Sequence, residues 1–312
     1  MTDSSKSKNF IERFAVLWPI LAGVCWGVTG IFVRGLDSSG LDNVTIVFTR
    51  TIIGMVLTLI YILTTDPSGI RAKAKDLPWF LAVSVCGVIG FMLVFNIAVI
   101  QLSLSLTSVM LSTAPVFVIL ISALIFGEKI TLKKTVCMIM AFIGCAMLSG
   151  ILDPGAAVHF SNIGIFMGIL TALMNALYIL VSKKVMTKGY GPFAVCFYSF
   201  LFSCIMLAPF VDWHALAAYL VSGTEAFPIR GTAGAIIFLL LQSIVTSLLP
   251  SISYMYGMKY VDAGKVAILE GGAEPSAALL AGLIIYSELP TIIGFAGMIV
   301  SVVAIMVLAR EG

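Results

Sequence analysis

Polar residues along this chain arrive in short clusters, and between them lie long apolar runs of nearly one length. Cutting at charged or Pro/Gly-rich joints leaves 15–34, 43–64, 78–100, 105–126, 132–150, 161–182, 191–211, 232–257, 264–286 and 291–309. A helix that crosses a bilayer needs about 20 mostly apolar residues. Each run therefore predicts one membrane helix, and the chain reads as an all-α polytopic membrane protein with ten spans. The joints at 101–104 and 287–290 are short and predict tight hairpins. The first run is too long for a signal peptide, carries Arg34 at its far end and lacks a small-residue cleavage site, so it is expected to stay on the protein.

Composition agrees. The chain is 60% hydrophobic and only 11% charged, whereas a soluble domain carries about 25% charged residues to face water. Eighteen bases and fifteen acids suffice for two rims of a membrane bundle but not for a soluble globule of 312 residues. Their placement orients the chain. With a cytoplasmic N-terminus, the inner segments hold Lys6, Lys8, Arg13, Arg71, Lys73, Lys75, Lys129, Lys133, Lys134, Lys183, Lys184, Lys188, Lys259, Lys265 and Arg310. Arg34 and Arg230 fall outside, and Arg50 falls within a span. This is the positive-inside pattern, and it predicts a multi-pass protein of the cell (plasma or inner) membrane with both termini cytoplasmic. No basic run interleaved with aromatics suggests nucleic acid. The six cysteines (Cys25, Cys86, Cys137, Cys145, Cys196, Cys204) lie in apolar runs without CxxC spacing or histidine partners, and read as packing residues.

The sequence also matches itself at an offset of 160. Pro115 falls on Pro275, Leu120 on Leu280, Ile125 on Ile285, Glu128 on Glu288, Thr131 on Thr291 and Leu148 on Leu308. Each copy reads as a helix with a proline near mid-span, a terminal Glu, and a Thr able to cap the next helix. Five spans per half is an odd number, so the second half enters from the opposite side. The expected organisation is a tail at 1–14, a first five-helix repeat at 15–150 and an inverted second repeat at 161–309. Inverted repeats around a mid-membrane site are typical of secondary transporters.

The stretches FGEKIT (126–131), EPSAALLAGLIIYSELP (274–290) and CWGVTGIFVR (25–34) resemble the EamA-like branch of the drug/metabolite transporter superfamily. The resemblance covers nearly the whole chain. It implies ten helices, with helices 1–4 and 6–9 around a central cavity and helices 5 and 10 at the periphery. It also implies transport of small metabolites without ATP, often export of amino acids or related compounds. Two features depart from the pattern: Ser287 stands where a Gly is expected before the second Glu, and Glu270 is not a usual family feature.

An ionised residue at the bilayer centre costs about 2.5–3.5 kcal/mol, so Arg50, Glu270 and Glu274 are expected to face the interior. Glu270 and Glu274 are spaced i,i+4 on one face, and Arg50 is placed so that an ion pair with Glu274 is possible. Two carboxylates together where water is scarce resist double ionisation. A proton-coupled antiporter needs such a pair; the structural alternative is a Glu274 locked by Arg50 or by amides near Pro275. Thr171, Asn175, Tyr178 and Ser182 share one face of the sixth helix, and Gln242, Thr246 and Ser253 one face of the eighth. Asn96, Asn175 and Gln242 are read either as pocket residues or as interhelical hydrogen-bonding glue. Trp26 and Tyr254 are candidates for cavity walls. Pro115 and Pro275 are candidate hinges. Gly23 and Gly27 predict a close helix contact, and Gly294 and Gly297 either packing or a dimer contact.

No GxxxxGK[ST] accompanies the spans, and both histidines, His159 and His214, sit in expected loops without neighbouring ligands. The reading is a secondary active exporter of small polar metabolites coupled to protons or another ion, monomeric or homodimeric, and without a cofactor. The alternative is an intramembrane enzyme acting on a lipid-soluble or lipid-linked substrate.

Overall fold

The computed structural model describes residues 16–65, 67–126, 131–148, 161–223, 231–260 and 263–309, and every regular element among them is helical. The expected tail at 1–14, together with Glu128 and His159, lies outside the described residues. In chain order, α1 (Leu17–Gly27) and α2 (Thr29–Asp37) form one apolar rod interrupted at Val28, followed by α3 (Asn43–Thr65). Next, α4 (Leu77–Val83) runs through a π-helical turn at Ser84–Phe91 into α5 (Met92–Gln101), and α6 (Leu104–Leu111) precedes α7 (Ala114–Phe126) and α8 (Leu132–Leu148). The remainder comprises α9 (Asn162–Met186), α10 (Pro192–Leu207), the short α11 (Trp213–Ser222) and α12 (Gly231–Ser243). A second π-helical turn at Ile244–Leu248 leads into α13 (Leu249–Tyr260), and α14 (Ala263–Tyr286) and α15 (Ile292–Ala309) follow.

Among the described residues, seven helical stretches are long and apolar enough to cross a membrane: Leu17–Asp37, Asn43–Thr65, Ala74–Gln101, Leu104–Ile121, Asn162–Met186, Phe193–Phe210 and Gly231–Tyr254. Thr135–Leu148, Gly272–Tyr286 and Ile292–Ala304 are shorter apolar helices. Large apolar side chains point outward, among them Leu124 at 86% exposure and Ile292 at 92%. Such a surface is stable only against lipid, and the protein is a multi-pass membrane protein.

Element ends have local causes. Ser103 caps α6 by accepting the Leu106 N–H, and Thr291 caps α15 by accepting the Gly294 N–H at 3.0 Å. Asp212 accepts the N–H groups of His214 and Ala215 and so starts α11, a helix where the sequence suggested a loop. Pro250 follows the second π-helical turn. Its missing N–H and its ring disturb the turn ending at Thr246, which accounts for the local widening.

Among the described residues, two helix crossings bring backbone against backbone where a side chain is missing. A Cβ on Gly27 would stand 2.4 Å from the Glu274 carbonyl oxygen, and one on Gly23 would stand 2.8 Å from that of Glu270, so α1 lies directly on the α14 backbone. A Cβ on Gly297 would meet Met147 at 2.4 Å and the Gly144 carbonyl at 2.6 Å, and Ser301 Oγ donates to Ala141 O at 2.7 Å. The α15 glycine therefore serves packing against α8 within the chain.

Candidate functional site

The α1–α14 crossing holds the two acids. Glu274 is 4% exposed and its Oε1 has no hydrogen-bond partner. Glu270, one turn away on the same helix, is half-buried and within electrostatic reach of both Glu274 and the Tyr254 phenol. Tyr254 packs on Trp26 with ring centroids 5.6 Å apart. Tyr178 of α9 is also within electrostatic reach of Tyr254, and its ring fills the space left by Gly87 in the first π-helical turn, where a Cβ would approach it to 2.1 Å. Helices α1, α9, α13 and α14 thus bring Trp26, Tyr178, Tyr254, Glu270 and Glu274 into one acidic and aromatic cluster.

The remaining candidates are placed elsewhere. Arg50 is 4% exposed on α3 and makes no ion pair with Glu274; its Nε lacks a partner. Its backbone carbonyl accepts the Ser243 Oγ at 3.2 Å. Gln242 is fully buried, with neither Nε2 nor Oε1 hydrogen bonded. Asn96 donates through Nδ2 to Asn43 Oδ1 at 2.8 Å, and Asn43 in turn donates to Leu93 O, so Asn96 ties α5 to α3 while its own Oδ1 remains unpartnered. Asn175 is half-buried on α9. Buried polar atoms without partners are unusual enough to need a reason.

The prolines differ in setting. Pro115 is the second residue of α7, directly after a break at 112–113. Pro275 lies inside the continuous α14, next to Glu274, and Ser276 Oγ donates to Gly272 O at 2.8 Å on the same turn.

Two polar clasps escaped the sequence reading. At one end, Arg34 of α2 donates from Nη1 to Glu288 Oε1 at 2.6 Å, from Nε to Val99 O at 2.8 Å and from Nη2 to Leu102 O at 2.5 Å. Its guanidinium also lies 4.6 Å from the centre of the Tyr286 ring. Glu288 Oε2 accepts the Leu104 N–H at 3.0 Å. This joins α2, the α5–α6 turn and the α14–α15 turn. Ser287, at φ 55°, takes the left-handed conformation that aims Glu288 back, and the Glu288 N–H reaches Gly282 O at 3.0 Å. At the other end, Asp76 accepts from Lys188 Nζ at 2.6 Å and from Tyr190 Oη at 2.8 Å. The one sequence signal for the first clasp was the recurrence of Glu at both hairpins; its partner, 254 positions away, carried none.

The EamA-like transporter family model matches the chain in two parts, residues 13–150 and 162–310. An "uncharacterized transporter" of Archaeoglobus fulgidus is 25% identical over 303 residues, covering 94% of this chain and 99% of the relative. A "probable terminal-alkyne amino-acid exporter" of Streptantibioticus cattleyicolor is 22% identical, covering 94% of this chain and 92% of the relative. A "pseudopaline exporter" of Pseudomonas aeruginosa is 26% identical, covering 96% of each chain. One crystal structure, 16% identical, superposes with a TM-score of 0.60 over 95% of this chain and 98% of its own and shares the fold.

Proposed function

The chain belongs to the EamA-like transporter family, a family of transporters rather than enzymes, and from that premise we propose a secondary active exporter of amino acids or related small polar metabolites, driven by protons. The observation that carries the proposal is Glu274, a carboxyl group buried at the α1–α14 crossing with one oxygen unpartnered and a second acid one turn away. Such a pair can exchange a proton for a cationic group of the solute, which is the coupling an antiporter needs. The names of the relatives from Streptantibioticus cattleyicolor and Pseudomonas aeruginosa favour export, and the first favours an amino-acid-like solute.

In this reading ten spans form two inverted halves, with both termini in the cytoplasm of the cell membrane. The paired match of the family model at 13–150 and 162–310 supports two halves, and Ser301 bonds to Ala141, its counterpart at the 160-residue offset. Alternating access exposes the cluster to one side at a time. The Arg34–Glu288 clasp then closes the outer end, and Pro115 and Pro275 are bends about which α7 and α14 swing.

Purified protein in liposomes, screened against a metabolite panel with a pH indicator inside, tests the function. A transported solute should move protons the opposite way, Glu274→Gln should abolish the pH-driven flux, and Glu270→Gln should shift its pH optimum. Wild-type pH dependence in both variants would make the carboxylates structural and end the coupling proposal.

A further inference from the structure

We propose that Arg50 and Gln242 form a receptor for a carboxylate carried by the transported solute. The inference rests on the transporter reading above and names the chemical class of its cargo.

Both side chains are more than nine-tenths buried, and neither is satisfied. Among the described residues no hydrogen bond or ion pair reaches the Arg50 guanidinium, and both polar atoms of the Gln242 amide are bare. The helices bring the two to one place. Ile46 and Ile53 of α3 pack in a cluster with Phe238 and Leu239 of α12. Arg50 is four residues after Ile46 and three before Ile53, so it shares their face. Gln242 is four residues after Phe238 and three after Leu239, so it shares theirs. The Ser243 Oγ bond to Arg50 O sets the two turns side by side.

Toward one end of the bundle this polar pair is covered by a plug of buried side chains, apolar except for the Tyr219 hydroxyl, which is also without a partner. Leu36, Leu41, Ile46, Tyr219 and Phe238 are all at most 4% exposed there. On its other side lies the π-helical turn of Ile244–Leu248, where Ser247 Oγ is buried and also without a partner. Wide turns of this kind often mark functional sites.

A guanidinium offers a planar fork of donors matched to a planar oxyanion, and it stays charged when desolvated. Left alone in the membrane interior it is costly, so it requires an anion. Glu274 does not supply one. Arg50 is a single positive charge, which matches a monoanion such as a carboxylate better than a phosphate dianion. The Gln242 amide adds an N–H donor for the same anion.

The first test measures the melting temperature of the purified full chain in detergent with acetate, chloride or ethylammonium at equal ionic strength. Acetate should protect, and the other two should not. Arg50→Lys keeps the charge but loses the fork, and should raise the acetate concentration needed for half-protection at least tenfold. Gln242→Glu places an internal carboxylate beside Arg50. That variant should melt higher than wild type without ligand and should no longer respond to acetate, a gain that misfolding cannot imitate. Equal protection by chloride and acetate overturns the proposal, as does a Gln242→Glu variant that melts lower or keeps its acetate response. In liposomes, a transported acid should move and its carboxamide should not. Equal transport of both ends the carboxylate inference and leaves the exporter reading intact. Acetate protection without transport of any panel member ends the exporter reading and supports the anion site.

Discussion

Removing the charge of Glu288 should loosen the clasp by which Arg34 joins α2 to the α5–α6 and α14–α15 turns. Glu288 accepts from Arg34 Nη1 and from the Leu104 N–H. In Glu288→Gln the side chain keeps its length and one acceptor oxygen but loses the charge and the second acceptor. Charge-assisted hydrogen bonds contribute about 1.5–3 kcal/mol and neutral ones about 0.5–1.5 kcal/mol. The two side chains are 16% and 24% exposed, which places the pair between a surface bridge, worth about 0–1 kcal/mol, and a buried one, whose breakage costs about 3–5 kcal/mol. A loss of about 1–2 kcal/mol follows, roughly a five- to thirtyfold shift toward the unclasped state. Glu288→Ala should shift it further, because Leu104 then also loses its acceptor. Spin labels at residues 38 and 289 read the change: the inter-label distances should lengthen and broaden in Glu288→Gln and more so in Glu288→Ala. The double exchange Arg34→Glu with Glu288→Arg should not restore the wild-type distribution, since the carbonyls of Val99 and Leu102 lose their donors as well. Unchanged distances in both single variants, or full rescue by the exchange, would refute the reasoning.

Three further outcomes are expected. In a cysteine-free background, single cysteines at residues 157 and 221 should react with an impermeant thiol reagent applied to sealed cells, and those at 75 and 186 should not; the reverse pattern would invert the orientation. Ser287→Gly should stabilise the protein by about 1 kcal/mol in thermal unfolding, because a left-handed backbone costs a non-glycine residue roughly 1–2 kcal/mol. Gly27→Val should lower the melting temperature and abolish transport, since its Cβ would meet the Glu274 backbone at 2.4 Å, whereas Gly191→Ala, with open space around it, should be silent.

How much of this was legible in the chain depends on the range of the force involved. The run at 43–64 became Asn43–Thr65, because bilayer thickness sets helix length and Asp42, accepting the Val44 N–H, sets where the helix begins. The Gly23–Gly27 contact was legible for a similar reason: small residues one turn apart leave a groove, and α14 fills it. Interruptions were legible only where a proline marks them, as Pro115 does after the break at 112–113 and Pro250 after the second π-helical turn. The break at Val28 and the first π-helical turn sit inside apolar runs with no proline beside them and were not legible. Nor were partners across the bundle. Trp26 and Tyr254 were singled out as separate aromatics, yet only folding could set their rings 5.6 Å apart. Arg34 was an outer base among others until the turn at 287–291 delivered Glu288 to it.

The contrast between the two arginines carries the remaining argument. Arg34 donates three hydrogen bonds, meets a carboxylate and lies over an aromatic ring, so its charge is answered within the chain. Arg50 is buried more deeply and has none of these. A fold that needed Arg50 only for stability would gain by pairing it, since a lone buried charge costs several kcal/mol. Pairing Arg50 with Glu274 would leave neither free for a solute or a proton. Held apart, on α3 and on α14, each keeps an unmet electrostatic demand.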